Sequence, residues 1–77
     1  MSYENVQQHF RRRLVDIRES NNMTVREFCE KCGLSTNTYN YYVHRGGMPT
    51  LYTVMMIADR CGMTVDQLLG IKGGEKK

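Results

Sequence analysis

The strongest constraint on the fold is a short motif that occurs twice in the sequence. Thr24 is followed three positions later by Glu27, and Thr64 is followed at the same spacing by Gln67. In each copy the threonine hydroxyl can accept from the backbone N–H of the third helical residue, whose side chain accepts from the threonine N–H. This reciprocal arrangement is the capping box, which predicts a helix beginning after each threonine.

Weaker caps and several glycines complete the division into helices. Ser35 and Thr50 offer a capping hydroxyl without an acidic partner,. An apolar stripe at Val6, Phe10, Leu14 and Ile17 has the spacing of one helix face,. Glycines stand where left-handed residues end helices, at Gly33, Gly46, Gly62 and Gly70,. The pattern predicts five short helices, over about 4–20, 25–32, 36–43, 51–61 and 65–69.

No segment alternates long enough for a strand, so an all-α fold is expected. We divide the chain into an N-terminal extension with the start of helix 1 (1–9), one domain (10–70) and a flexible Gly/Lys tail (71–77),.

Size and charge narrow the function classes. A chain of 77 residues has a small core, which disfavours enzymes that need a deep cleft,. No stretch approaches the roughly 18 apolar residues of a membrane span, and we expect a cytoplasmic protein. The net charge of +3 is compatible with a nucleic-acid partner without requiring one,.

The second and third predicted helices are joined by only three residues, Gly33, Leu34 and Ser35. Such a short link makes the next helix leave at a steep angle, as in a helix-turn-helix. Spacing places Tyr39 and Tyr42 toward the core of this unit,.

Residues 10–70 resemble the lambda-repressor-like, Cro/XRE-type helix-turn-helix family. The resemblance rests on the joint spacing of several short matches. These are Arg13-Leu14, Ile17-Arg18, Met23-Thr24, Glu27-Phe28-Cys29, Gly33-Leu34-Ser35, Pro49-Thr50-Leu51, Ile57-Ala58, Cys61-Gly62 and Asp66-Gln67-Leu68-Leu69-Gly70.

The resemblance implies a five-helix DNA-binding domain whose recognition helix, about 35–43, enters the major groove of double-stranded DNA. Asn37 is the first candidate for a base contact, because an asparagine side chain can pair with adenine; Tyr41 is the second. The expected DNA-binding residues are Thr24, Thr36, Asn37, Thr38, Asn40, Tyr41, His44 and Arg45.

The sequence departs from the family pattern in its charges. The recognition helix carries no Lys or Arg, Val25 stands where many relatives have Gln, and Val43 stands where they have Glu. Few phosphate-neutralising charges predict modest affinity per protomer, so a homodimer is expected.

Two functional hypotheses follow. The first is a sequence-specific transcriptional regulator, a repressor of phage, mobile-element or bacterial type. The alternative uses the same fold as a protein-interaction module, an antitoxin or regulatory adaptor, through an apolar patch of Val15, Tyr52 and Met56,.

Cys29 and Cys32 form a CxxC, which with Cys61, His9 and His44 suggests a zinc site or a redox pair,. Buried thiols are the preferred interpretation, because a free cysteine packs as a small apolar residue. Residues 11–13, a run of three arginines, are interpreted as a solvated helix face, with a contact to the DNA backbone as the alternative. We expect no catalytic residues, no cofactor and no metal.

Overall fold

The computed structural model of the chain describes residues 3–71. Within this range it has five helices and no strand, so the all-α prediction is confirmed. Apart from Ile71, the predicted flexible tail lies outside the described residues. No helix in this part of the chain is both long and apolar enough to span a bilayer. The helices are α1 (Tyr3–Ser20), α2 (Val25–Cys32), α3 (Thr36–His44), α4 (Leu51–Arg60) and α5 (Val65–Leu69).

Both predicted capping boxes are formed. The Thr24 hydroxyl accepts from the Glu27 N–H at 3.1 Å, and the Glu27 carboxylate accepts from the Thr24 N–H at 2.8 Å. At α5 the same two bonds join Thr64 and Gln67, at 3.1 and 3.0 Å. Ser35 caps α3 and Thr50 caps α4 through their hydroxyls. The helix starts therefore follow from local chemistry.

The helices surround one core that contains residues from all five of them. α1 packs against α3 and α5, while α4 packs against α2 and α5. The Phe10 ring meets Tyr42 edge-on at a centroid distance of 5.4 Å, and Phe28 meets Tyr39 at 5.8 Å, also edge-on. The core consists of Phe10, Leu14, Phe28, Cys29, Cys32, Tyr39, Tyr42, Val43, Val54, Ile57, Ala58 and Leu68.

Two side chains of α1 hold α3 and its following loop in place. Arg18 donates through Nε to the Tyr39 hydroxyl at 3.0 Å and through Nη1 to the Met23 carbonyl at 3.1 Å. Gln7 donates through Nε2 to the carbonyls of Tyr42 and Gly47, at 2.8 and 3.1 Å. The hydroxyl of a fully buried tyrosine is thereby satisfied, which avoids the cost of an unpaired buried polar group,.

Of the three residues expected in an apolar surface patch, only Tyr52 is exposed. Val15 is half-buried and packs on the core. Met56 is also half-buried, because its Sδ and Cε lie beside Gly33, where α2 ends. Tyr52 is exposed as expected, but its apolar neighbours on the surface are others. The exposed large apolar side chains just before α4 and in its first turns are Met48, Leu51, Tyr52 and Met55, with exposures between 46% and 75%, and we call this set the exposed apolar patch.

The capping bonds lead to a stability prediction. Thr24→Ala should lower the free energy of unfolding by about 1 kcal/mol, because it removes the acceptor for the Glu27 N–H,. For a domain of this size the melting temperature should fall by roughly 4–8 °C. Thr36→Ala is the matched control, since it truncates an exposed threonine in the first turn of α3 that is not a cap. An equal loss in both variants, measured by thermal unfolding, would contradict a capping role.

Candidate nucleic-acid interface

The turn between α2 and α3 sets the direction of α3. Gly33 has φ +73°, the left-handed region in which an added side chain is strained,. The N–H groups of Gly33 and Leu34 both donate to the Cys29 carbonyl, which closes the last turn of α2. The chain therefore turns within three residues, and the Phe28–Tyr39 ring contact fixes the crossing of the two helices.

The solvent face of α3 presents one row of side chains without formal charge. Asn37, Tyr41 and His44 are spaced by four and then three residues, which aligns them along the helix, and all three are exposed,. Thr36 is exposed beside the start of this row, and Asn40 is half-buried at its edge. Five of the eight predicted contact residues thus share one helix face.

Thr38 has a structural role as well. Its N–H donates to the Ser35 hydroxyl at 3.1 Å, and its own hydroxyl accepts from Ser35 at 2.9 Å. The Thr38 hydroxyl hydrogen is not used by either bond, so this side chain retains a donor for an external acceptor.

Tyr41 is less free than its position in the sequence suggested. Its side chain is 48% exposed, and one side of the ring lies on Gly47, where a Cβ would overlap the ring. The Gly47 N–H also donates to the Tyr41 carbonyl at 2.9 Å. Tyr41 therefore packs the loop after α3 while presenting part of its ring outward.

Thr24 keeps a donor at the start of α2 while it forms the capping box. Its hydroxyl accepts from the Glu27 N–H and its N–H donates to the Glu27 carboxylate, so the hydroxyl hydrogen is used by neither bond, although the carboxylate adds negative charge at this helix end,. The N–H groups of Val25 and Arg26, in the first turn, have no acceptor within the helix by its geometry. Arg26 is exposed there and was missing from the predicted set. A cation two positions after a predicted cap was the signal for it.

His44 and Arg45 are exposed at the end of α3. His44 lines an open groove together with Val43, Val15 and two arginines of α1, Arg11 and Arg12. The sequence interpretation preferred a solvated face for these arginines over a contact with the DNA backbone. Their place beside α3 could not be read from the sequence, because it depends on how α1 packs.

Tyr42, on the inner side of α3, is a titratable residue that belongs to the core. Burial raises the pKa of the Tyr42 hydroxyl, and its hydrogen bond with Thr53 on α4 offsets part of that rise. Tyr42 therefore stays protonated at neutral pH. Over the described residues, no group of three or more His, Cys, Asp or Glu side chains is placed to hold a metal ion.

This arrangement is suited to binding. α3 offers amide and hydroxyl groups that can donate and accept hydrogen bonds at base edges. Its flanks offer cations, at Arg26 and Arg45, that can approach phosphates,.

Comparison with known proteins agrees with this geometry. A family model described as helix-turn-helix matches residues 14–68. The chain is also 31% identical over 58 residues to the cryptic phage CTXphi transcriptional repressor RstR of Vibrio cholerae serotype O1 (strain El Tor Inaba N16961). That alignment covers 75% of this chain and 52% of the relative, so the chain spans about half of that protein's length. No solved structure gives a significant match.

The family match and the fold agree on the same residues. The matched segment begins on α1 at Leu14 and ends on α5 at Leu68, both of which are fully buried core residues. It contains the whole α2–turn–α3 unit and covers well over half of the chain. The alternative hypothesis of a protein-interaction module is not favoured by these matches, and two members of its proposed patch, Val15 and Met56, are half-buried. The chain belongs to the helix-turn-helix family of DNA-binding regulators.

Proposed function

We propose that this protein is a sequence-specific transcriptional regulator that binds double-stranded DNA with α3 in the major groove. The observation that carries the proposal is the exposed row of Asn37, Tyr41 and His44 on the second helix of the α2–turn–α3 unit. The major groove is wide enough for one helix, and its base edges carry the donors and acceptors that such side chains pair with.

Base recognition is assigned to the first two turns of α3. Asn37 is exposed in the first turn, where the family places its base contacts, and its amide matches the N6 and N7 atoms of adenine,. Thr36 and Asn40 flank it with a hydroxyl and a second amide. Tyr41 contributes its outward edge, which suits apolar contact with a thymine methyl.

Phosphate binding is assigned to the flanks of α3. The first turn of α2 supplies backbone N–H groups with Arg26 beside them,. Thr38, His44 and Arg45 supply a hydroxyl donor, an imidazole and a guanidinium. Thr24 positions the α2 start through its cap and supplies its hydroxyl hydrogen as a further donor to phosphate,.

A single protomer brings few positive charges to this face, so we propose that the protein acts as a homodimer on a roughly palindromic site. The exposed apolar patch of Met48, Leu51, Tyr52 and Met55 supports this, because an apolar patch on a small domain marks an interaction surface,. The patch follows α3 directly in the chain, at the loop before α4 and the start of α4.

The similarity to a phage transcriptional repressor supports repression as the outcome. The proposal assigns binding and no reaction, with action in the cytoplasm where the DNA of a bacterium or phage is located.

The base-reading role of Asn37 can be tested by substitution. Sites are first selected from genomic fragments with the purified protein. Asn37→Ala should then weaken binding to the selected site by roughly 5- to 150-fold, since one bidentate amide contact contributes about 1–3 kcal/mol. Gln8→Ala, which removes an exposed amide on α1, is the control and should bind normally. Failure of the wild-type protein to enrich any sequence would contradict the proposed function.

Arg45 should contribute through charge. We expect the logarithm of the binding constant to fall with the logarithm of salt concentration with a slope no steeper than about −3 per protomer. Arg45→Ala should make that slope shallower by about 1 for any DNA sequence. Arg60→Ala, which removes an exposed arginine at the far end of α4, should leave the slope unchanged. Equal effects of the two substitutions would argue against a phosphate contact at Arg45.

The dimer is tested by a charge placed in the exposed apolar patch. Tyr52→Lys should convert the dimer to a monomer in sedimentation velocity, because it puts an ammonium group into an apolar contact. Gln8→Lys adds the same charge on exposed α1 and should leave the dimer intact. A wild-type protein that sediments as a monomer, alone and on DNA, would refute the dimer.

A further inference from the structure

Two thiols from distant parts of the sequence are in contact. Cys32 is the last residue of α2, and Cys61 is the C-cap of α4. Their sulfur atoms are 3.9 Å apart, which is van der Waals contact, so no other atom lies between them. A disulfide needs about 2.05 Å, so oxidation has to bring the two sulfurs about 1.9 Å closer,.

The surroundings of the two thiols differ. Cys32 is fully buried, whereas Cys61 is partly exposed at a helix end. The Arg60 guanidinium donates to the Lys31 carbonyl at 3.1 Å, and this bond holds the ends of α2 and α4 together beside the pair. A small oxidant therefore reaches Cys61 first.

The pair is also asymmetric in its protonation. The hydrogen bond from Cys32 lowers the pKa of the Cys61 thiol to about 7, and the nearby Lys31 ammonium acts in the same direction. The same bond, together with burial, raises the pKa of Cys32. Deprotonation is therefore easier at Cys61 than at Cys32, and Cys61 has a second thiol in contact with it, which is the combination of a reactive thiol with a neighbouring resolving thiol,.

The third cysteine provides an internal comparison. Cys29 is buried, and its thiol lies 3.7 Å from the Ser35 carbonyl, where it is a weak donor. Burial raises its pKa, so it stays a thiol. The CxxC spacing of Cys29 and Cys32 is therefore not the pairing that the structure favours.

We propose that Cys32 and Cys61 form a reversible intramolecular disulfide when the protein meets a hydroperoxide, with Cys61 as the attacking thiol and Cys32 as the resolving thiol. The Cys61 sulfur attacks one peroxide oxygen, the O–O bond breaks, and Cys61 becomes a sulfenic acid as water or an alcohol leaves. The Cys32 sulfur then attacks the Cys61 sulfur, the S–O bond breaks, and a second water leaves with the Cys32 proton. Two thiols are oxidised by two electrons in total, and the peroxide is reduced by the same two.

This bond would link the ends of α2 and α4 and close a loop that contains all of α3. A cross-link of this kind stabilises a fold by restricting its unfolded chain. The exposed row of α3 contributes no atom to the bond. The inference does not rest on the proposed DNA binding, and either one can fail alone.

Trypsin makes the test direct, because cleavage after Arg26, Lys31, Arg45 and Arg60 puts the three cysteines on separate peptides. The reduced full-length protein is treated with equimolar hydrogen peroxide, denatured, alkylated with iodoacetamide, digested and analysed by mass spectrometry. We expect a cross-link between peptides 32–45 and 61–72, reversed by dithiothreitol, with the Cys29 peptide fully alkylated. The oxidised protein should melt several degrees higher than the reduced protein.

Three alanine variants keep the test decisive. Cys29→Ala should still form the cross-link at the wild-type rate. Cys32→Ala should leave a Cys61 sulfenic acid that dimedone captures, and Cys61→Ala should leave both other thiols free to alkylate. A bond between Cys29 and Cys32, a disulfide between two chains, or three alkylated cysteines after excess peroxide would each overturn the proposal.

Discussion

The structure depends on the three-residue turn between α2 and α3. Because Gly33 adopts the left-handed conformation and the Cys29 carbonyl accepts two N–H groups, α2 stops abruptly and α3 begins after a turn of three residues. The other helices stabilise this arrangement. Arg18 of α1 bonds the Tyr39 hydroxyl on the inner side of α3, and Met56 of α4 packs beside the turn itself. A rigid frame of this kind lets one short helix present its outer face at a defined orientation.

That outer face has an unusual balance for a DNA-binding surface. α3 carries no Lys or Arg, and two of its three tyrosines, Tyr39 and Tyr42, are buried in the core. Hydrogen-bonding side chains therefore outnumber cations on this face. We expect DNA affinity to depend on base contacts and on pairing of protomers more than on charge. The net charge of +3 is a poor guide here, because the arginine run at 11–13 lies on α1 rather than on α3.

Local chemistry made most of the fold predictable. The threonine caps and glycine stops act within four residues, so the helix bounds agree with the sequence prediction to within one residue,. Features that depend on packing between helices could not be predicted from the sequence. Three contacts show this: Cys32 with Cys61, the Tyr41 ring with Gly47, and Met56 with Gly33. Each depends on how the chain folds back between helices, which local spacing does not determine. The row on α3 was predictable because it follows from spacing within one helix. The surface patch depends on how helices pack, and its predicted members other than Tyr52 differ from those in the structure.

The central claim is that α3 is the DNA-reading helix, and NMR chemical-shift mapping of the full chain tests it most directly. A duplex selected by the protein is titrated into the labelled protein, and backbone amide shifts are followed residue by residue. The account predicts the largest changes at Thr36, Asn37 and Asn40, with smaller ones in the first turn of α2 and little change on α5. Large shifts confined to the exposed apolar patch or α5, with α3 unperturbed, would contradict it.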